Sequence, residues 1–332
     1  MKRFMKFFSM AFIGLLVAFA VVACGNAPAT NEGSEPAASA ASGAEYYRIG
    51  ILQLVEHDAL DASNRGFIDA LNDAGIDYEV DQQNAQGDQS ACQTIATKLV
   101  NDEDDLILVI ATPAAQAVAG ATSEIPIVGT AITDFADAGL VNDNAAPGTN
   151  VTGTSDLTPV NEQIALIPTL FPEAKTVGIL YCSAEANSTF QANMAHEACE
   201  ANGLAWEDYT VSSSNEIQQV VESMVGKVDV IYIPTDNVMA AGMQTVAMVA
   251  NDNGLPTVVG EQGMVENGGL VSYSIDYYEL GYRAGQMAVR ILVDGADPAE
   301  MPIEYLAAEE CELVYNEETA ATLGVDLSVL EN

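Results

Sequence analysis

Apolar runs alternate with amphipathic segments along most of the chain. The run 47–55 is nearly continuous, which is typical of a parallel strand that is covered on both faces. The segment 61–74 places Phe67 and Leu71 on one helical stripe, and Gly75 ends it. The same criteria predict further strands at 76–80, 105–110, 126–129, 176–181, 204–211, 229–233, 257–259 and 270–275. They predict further helices at 88–100, 186–202, 215–225, 237–253 and 277–293, and another that Pro113 opens.

This pattern occurs twice. Gly50 and Gly75 of the first half correspond to Gly178 and Gly203 of the second, with the same number of residues between them. A repeated β-α-β-α-β unit predicts two similar parallel sheets, and therefore two lobes with a cleft between them. The predicted fold is α/β, with two Rossmann-like lobes that can close around a small molecule.

The chain is expected to cross between the lobes near residues 154, 274 and 307. The stretch 147–156 has little regular pattern and is expected to carry the first crossing. Short strands around Ile303 and Leu313 and a small helix near Glu317 complete the prediction. One lobe then comprises residues 46–154 and about 275–306, and the other comprises 155–274 and about 307–332.

The N-terminus has the pattern of a lipoprotein signal peptide. Basic residues precede an apolar run at 7–20, and small residues then lead directly to Cys24. We predict a signal peptide at 1–23, lipid attachment to Cys24 and a flexible tether over 24–45, a stretch poor in core-forming residues. An uncleaved signal anchor, or a secreted protein with an incidental cysteine, is the alternative.

The acidic charge excludes several classes of partner. The net charge is −38, which disfavours nucleic acid and anionic lipid surfaces, so membrane attachment would depend on the lipid at Cys24. The other cysteines match no C-x-x-C pattern, and only two histidines are present, so neither a metal nor a cofactor is predicted. Whether those cysteines are paired or reduced is left open.

Ligands of open α/β sheets bind beyond the carboxyl ends of the strands, and the loops there contain no Lys or Arg. They offer carboxylates, hydroxyls and helix N-termini, a combination that suits a zwitterion. An ammonium group would pair with Asp236, Glu56 or Asp276. A carboxylate group would take backbone N–H groups and the hydroxyls of residues such as Thr112, Ser183 and Ser188.

Structural alternatives exist for several of these side chains. Asp236 follows Thr235 at a helix start, where it could serve only as an N-cap. His57 has no nucleophile at a recognisable spacing and is interpreted as a hydrogen-bonded loop residue rather than a catalyst. Tyr273 and Tyr277, like the adjacent Tyr278, could line an aromatic pocket or pack at the hinge.

The ordered series GILQLVEHDALDASNRGFIDAL, IPIVGTAITD, VIYIPTDN and ELVYNEETAATLG resembles a family of bacterial ABC-transporter substrate-binding lipoproteins. Tryptophan- and tyrosine-binding proteins belong to that family. The resemblance implies a type I periplasmic-binding-protein fold, an extracytoplasmic location, and a permease and an ATPase as partners of a monomer. The chain departs from the family's pattern at Asp58, where a proline is common, and over 134–141.

We therefore expect a substrate-binding protein for an aromatic amino acid. Another amino acid, a nucleoside or a sugar is the alternative ligand, and a membrane receptor is the alternative partner. An enzyme is not expected: a two-lobed racemase would need paired cysteines, and Cys182 corresponds to Leu54. The candidate ligand-binding residues are Glu56, His57, Asp58, Thr112, Pro113, Ala114, Thr133, Ser183, Glu185, Asn187, Ser188, Thr235, Asp236, Asn237 and Asp276.

Overall fold

A computed structural model describes residues 46–307 and 310–331. The predicted signal peptide, Cys24 and the tether lie outside these residues. Within the described part, no helix is both long enough and apolar enough to cross a membrane.

The strands are short and mostly buried, as expected for sheets that are covered on both faces. In chain order they are β1 (Tyr46–Gln53), β2 (Asp77–Asn84), β3 (Leu106–Ile110), β4 (Ile127–Ile132), β5 (Val151–Ser155), β6 (Thr176–Cys182), β7 (Ala205–Val211), β8 (Val230–Ile233), β9 (Thr257–Val259), β10 (Val271–Ser274), β11 (Glu304–Tyr305) and β12 (Glu312–Tyr315).

The helices cover the faces of the sheets. In chain order they are α1 (Asp58–Ala74), α2 (Gln89–Asn101), α3 (Thr112–Ala119), α4 (Val160–Leu170), α5 (Ala186–Ala201), α6 (Ile217–Met224), α7 (Asn237–Ala241), α8 (Met243–Asp252), α9 (Gln262–Glu266), α10 (Tyr277–Asp294) and α11 (Glu317–Leu323). Short 3₁₀ turns occur at Ser214–Glu216, Pro298–Glu300 and Leu327–Glu331.

The described residues form two six-stranded sheets with matching order. The first runs β11-β5-β4-β3-β1-β2 and the second runs β12-β10-β9-β8-β6-β7. All pairings that involve the first sheet are parallel, and in the second only β12 runs antiparallel, against β10. The predicted two-lobed α/β fold is confirmed, and we call the unit around the first sheet lobe 1 and that around the second lobe 2.

Three segments carry the described chain between the sheets. The first lies between β5 and α4, the second between β10 and α10, and the third between β11 and β12, where residues 308 and 309 are not described. Helix α10 follows a lobe 2 strand but packs in the core of lobe 1, so the two lobes are interleaved in sequence.

The stretch 147–156 contains a strand, β5, that the sequence pattern does not predict. Three of its five residues are Thr or Ser, yet the whole strand is buried, because these hydroxyls find partners inside the lobe. Thr152 donates a hydrogen bond to the Met301 carbonyl, and Thr154 donates to Thr130. Gly153 lies so close to β4 that an added Cβ would be 2.0 Å from the carbonyl oxygen of Gly129. A hydrophobicity pattern cannot detect a strand of this kind.

The helix predicted over 237–253 is two helices, α7 and α8. The break is at Gly242, where an added Cβ would lie 2.3 Å from Cδ1 of Ile217 on α6. Helices α4 and α9 are also absent from the prediction. Helix α4 contains Pro168 near its end, and α9 spans only five residues, so neither has a clear helical signal.

Candidate functional site

The carboxyl ends of the strands in both sheets point toward a cavity between the lobes, called here the central cavity. Lobe 1 contributes the loop after β1, the start of α1 and the ends of β4 and β5. Lobe 2 contributes the loops before α5, α7 and α9, and α10 closes one side. The lining residues are His57, Ala59, Leu60, Ala131, Asp156, Asn187, Thr235, Asp236, Asn237, Ala240, Glu261, Met264 and Tyr277.

Asp236 sits between β8 and α7, and it is 2% exposed. One carboxylate oxygen accepts a hydrogen bond from the Met239 N–H at 2.8 Å, which caps α7, and the other accepts from the Cys182 N–H at 2.6 Å. Burial raises the pKa of Asp236, although these N–H donors and the Ser188 hydroxyl oppose the shift. The N-cap role considered from the sequence is therefore present, and the carboxylate also lines the central cavity.

Glu185 lies just before α5 and is equally buried. Its carboxylate accepts hydrogen bonds from the Asn237 side-chain amide at 2.6 Å and from the Asn187 amide at 3.4 Å. Burial raises the pKa of Glu185, and the nearby charge of Asp236 raises it further. Two neighbouring buried carboxyl groups do not both ionise readily. A proton or a bound cation is therefore favoured beside Glu185 and Asp236.

Gln191 on α5 is fully buried and joins the two lobes. Its carbonyl oxygen accepts from the Thr235 hydroxyl at 2.8 Å, and its amide donates to the Thr235 carbonyl at 3.0 Å. The same amide donates across the cleft to the hydroxyl of Thr133 at 3.3 Å, and Thr133 donates to Asp156 at 3.0 Å. This chain of hydrogen bonds connects the α7 loop of lobe 2 with the end of β5 in lobe 1.

Asp156 and Tyr277 form the polar part of the lobe 1 wall. The Tyr277 hydroxyl donates to the Asp156 carboxylate at 3.1 Å, opposite the bond from Thr133. Burial raises the pKa of Asp156 to about 6 despite these donors, and it raises the pKa of Tyr277 well above its ordinary value. The hydroxyl of Tyr277 therefore remains a hydrogen-bond donor at every physiological pH.

Glu261 closes the cavity from the loop after β9, at 2% exposure. Both of its oxygens accept backbone N–H groups at the start of α9, from Gly263 and Met264. Burial raises the pKa of Glu261 to about 7, and these two donors oppose the shift. Glu261 is thus the third carboxyl group that lines the central cavity, with Asp156 and Asp236.

His57 faces lobe 2 from the start of α1. Its Nε2 atom lies 3.3 Å from the Asn237 side-chain oxygen, and its Nδ1 atom is buried without a hydrogen-bond partner. Burial lowers the pKa of His57, so the ring is neutral in this arrangement. The ring therefore offers polar contact across the cleft and no positive charge.

The central cavity has an excess of hydrogen-bond acceptors and lacks a cation. None of the described residues that line it is Lys or Arg. Asn187 is 7% exposed, and its side-chain oxygen has no partner. Buried polar atoms in native proteins almost always have a partner, so this acceptor indicates a group supplied from outside the chain. A donor-rich, positively charged group satisfies both requirements.

A second feature suits an anionic group. Helix α3 begins at Thr112, whose buried hydroxyl has no hydrogen-bond partner, and Ala111 before it has a φ of 85°. A non-glycine residue in this region is strained, and such strain persists where the surrounding structure enforces it. The start of α3 therefore combines an uncommitted hydroxyl with the positive end of the helix dipole, at the carboxyl end of β3.

The lobes are in contact in this structure. Asn267 of lobe 2 donates to Asp58 of lobe 1 at 2.8 Å, and Gln89 donates to the Ala184 carbonyl at 3.0 Å. The central cavity leaves about 10 Å³ for a water-sized sphere, roughly the room that one water needs. A larger ligand can enter only if the lobes separate and the surrounding side chains shift.

The sequence-based candidates fall into distinct places. His57, Asn187, Thr235, Asp236 and Asn237 line the central cavity. Glu185 and Ser188 contact Asn237 and Asp236, and Thr133 hydrogen-bonds to Asp156 and Gln191. Thr112 and Ala114 are buried at the start of α3.

The remaining candidates are peripheral. Asp58 and Asp276 line a side groove of about 310 Å³, which shares Glu261 and Tyr277 with the central cavity. Pro113 lines another groove between the lobes, of about 300 Å³. Ser183 is exposed and donates to the Val211 carbonyl. Glu56 lies in an outer groove of about 750 Å³. All residues that line this groove belong to lobe 1, so it is not part of the cleft between the lobes.

Asp156, Glu261 and Gln191 are absent from the sequence-based set. Glu261 lies two residues after the predicted strand 257–259, at the end of the sheet where ligands of such folds bind, so its position in the sequence could have identified it. Asp156 follows β5, which no hydrophobic pattern marks. Gln191 lies one turn inside a helix, where a buried amide resembles any polar surface residue.

A family model described as ABC transporter substrate binding protein matches residues 48–330. The chain is 38% identical over 331 residues to a tyrosine-binding protein of Clostridioides difficile, covering 98% of this chain and 94% of that protein. Among solved structures it resembles an ABC domain from Streptococcus pneumoniae in complex with L-tryptophan. That match has a TM-score of 0.83 and 40% identity, and it covers 86% of this chain and 98% of that one.

A ligand-free, open substrate-binding protein from Clostridium difficile is also similar. It is 42% identical, covers 84% of this chain and 95% of that one, and has a TM-score of 0.65. The two structures are almost equally similar in sequence, yet the tryptophan complex superposes better. This difference agrees with the contacts between the lobes, which are those of a closed arrangement. Fold, family match and close relatives agree, and the chain belongs to the ABC transporter substrate-binding protein family.

Proposed function

We propose that this protein captures an aromatic amino acid outside the cytoplasm and delivers it to an ABC importer. The observation that carries the proposal is the wall of the central cavity, where Asp156, Asp236 and Glu261 are buried without a cation. A buried carboxylate without a positive partner is unfavourable, and an ammonium group would supply that partner. Phosphate or nucleotide ligands are disfavoured by the same wall.

The two other parts of an aromatic amino acid have matching surfaces. Its carboxylate would bind at the start of α3, near the uncommitted Thr112 hydroxyl, where the helix dipole favours an anion. Its ring would contact Leu60, Met264 and Tyr277, the large apolar side chains of the cavity. The tyrosine-binding relative and the tryptophan-bound relative support this class of ligand.

The ligand-binding role of the full candidate set remains part of this proposal, together with Asp156, Glu261 and Tyr277 as additions from the geometry. We further propose that Cys24 carries a lipid that holds the protein at the outer face of the cell membrane. A permease and its ATPase would be the partners of a monomeric protein. Lobe closure around the ligand would create the surface that the permease recognises.

A thermal-shift panel of amino acids, nucleosides and sugars tests the ligand class. Ligand at a hundred times its Kd stabilises a protein by about 2.7 kcal/mol, which corresponds to several degrees in Tm. A shift confined to tryptophan, tyrosine or phenylalanine supports the proposal. A shift with a sugar or a nucleoside, and none with amino acids, would contradict the assigned site chemistry.

A further inference from the structure

We propose that closure of the ligand-free lobes takes up protons from solvent, and that the ammonium group of the ligand replaces these protons when the cleft closes on it. The first half of this inference concerns the protein alone. The second half rests on the proposed amino-acid ligand.

Four buried carboxyl groups from four different loops lie in or beside the central cavity. Asp156 follows β5, and Glu185, Asp236 and Glu261 precede α5, α7 and α9, so three come from lobe 2 and one from lobe 1. Each is at most 5% exposed. Their hydrogen-bond partners are backbone N–H groups, amides and hydroxyls, all of which are neutral. Closure without a ligand therefore buries negative charge without a counter-charge.

The unpartnered oxygen of Asn187 is independent support for a missing donor. The Asn187 amide group points its nitrogen toward Glu185, Ser188 and the Thr235 carbonyl, which leaves its oxygen as the free acceptor. A protonated carboxyl group, a water or a ligand could donate to this oxygen, which has no partner among the described residues. Either a protonated carboxyl group or an ammonium group could therefore donate the hydrogen bond that the Asn187 oxygen lacks.

The other ionisable groups around the cleft do not supply the charge. His57 is neutral in the closed form, because burial lowers its pKa, so this single group opposes the proton uptake of the four carboxyl groups. Arg65 on α1 is exposed, and it lines the side groove together with Glu261 but does not line the central cavity. Further ionisable side chains that face these groups are Asp58 and Asp61 of α1, Cys182 of β6, Glu266 of α9 and Tyr277 of α10.

The direction of the pH effect follows from linkage. In the closed form, burial raises the pKa of Asp156 to about 6 and that of Glu261 to about 7, and it raises those of Glu185 and Asp236. In an open form, water solvates the same groups and their pKa values return toward about 4. The closed form therefore binds more protons, so acidification from about pH 7 toward pH 4 favours closure. Each proton taken up favours closure by up to about tenfold per pH unit.

Small-angle X-ray scattering of the purified, ligand-free protein at pH 7.5, 6.5 and 5.5 tests the first half. We expect the radius of gyration to fall on acidification. In the double variant Asp156→Asn/Glu261→Gln, which replaces two of the acids by neutral amides, we expect compact protein already at pH 7.5 and a weaker response. The matched double variant Glu197→Gln/Glu200→Gln removes two exposed charges of α5 and should respond like the wild type.

A wild-type radius that stays constant over this range overturns the proposal, and so does an unchanged response in the cleft variant. If that variant fails to fold, Glu185→Gln is measured in its place, with the same expectation. The second half is tested by calorimetric titration with L-tryptophan at pH 5.5 in two buffers of different ionisation enthalpy. We expect release of about one proton or more on binding, and zero release contradicts the exchange. Acid-induced compaction without binding of any amino acid would refute the proposed ligand and leave proton-linked closure standing.

Discussion

The Asp236→Ala variant is expected to lose both stability and affinity, by amounts that can be worked from its contacts. Removing the carboxylate removes the cap at the Met239 N–H, which is worth about 1 kcal/mol. It also leaves the Cys182 N–H buried without a partner, at a cost of about 1–3 kcal/mol. Loss of the charge beside Glu185 offsets part of this. We expect a net loss of about 2–3 kcal/mol in the free energy of unfolding, from the sum of these terms.

The effect on affinity has a different origin. An ammonium group in the central cavity would lose a buried charged partner, which is worth about 2 kcal/mol or more and corresponds to roughly a 30-fold increase in Kd. Urea denaturation reports the stability, and calorimetric titration with L-tyrosine and L-tryptophan reports the affinity.

The Asn316→Ala variant is the matched control. Asn316 caps α11 of the same lobe through the Thr319 N–H, and it is not among the residues that line the central cavity. It should lose about 1 kcal/mol of stability and no affinity. A folded Asp236→Ala variant with wild-type affinity would remove Asp236 from the ligand site and refute the reasoning.

Three further predictions concern other parts of the chain. Gly281→Ala should destabilise the protein by about 1–3 kcal/mol or more, because the new Cβ would lie 1.9 Å from the Ser63 carbonyl oxygen. An unchanged midpoint of urea denaturation would contradict the tight packing of α1 on α10. Thr112→Val should leave stability unchanged or raised, since the buried hydroxyl has no partner, but should raise the Kd about tenfold; equal affinity would exclude a carboxylate contact there. Cys24→Ser should move the protein from the membrane fraction to the soluble fraction, and retention at the membrane would refute lipid anchoring.

Much of the fold could be predicted because it is repeated. The duplicated spacing of apolar runs and glycines predicts two similar sheets, and the structure confirms them. Strands made of Leu, Ile and Val are evident from hydrophobicity alone, as in β3. In contrast, β5 is buried through hydrogen-bonded hydroxyls, and the break at Gly242 depends on contact with Ile217 from another helix. Neither feature is encoded in the local pattern.

The candidate site could be predicted where its residues follow strands that the sequence pattern reveals. Loops that follow recognised strands supplied Asp236, Asn237 and His57, which the structure brings together. Asp156 was missed because its strand was missed. Asp276 looks equivalent to Asp236 in sequence, since both cap a helix after a strand, yet it is exposed in the side groove. The packing of the two lobes decides that Asp236 faces the cavity and Asp276 does not, and tertiary packing cannot be predicted from the local sequence.

Binding of an amino acid through both of its charged groups is tested most directly by comparing each amino acid with analogues that lack one group. Calorimetric titrations would use L-tryptophan and L-tyrosine, the corresponding amines without the carboxylate, and the corresponding acids without the amine. We expect an intact amino acid to bind, and the acid without the amine to lose about 2 kcal/mol or more, since Asp156, Asp236 and Glu261 would then lack the cation that the ammonium group supplies. Equal binding of that acid would contradict the central role of the buried carboxylates.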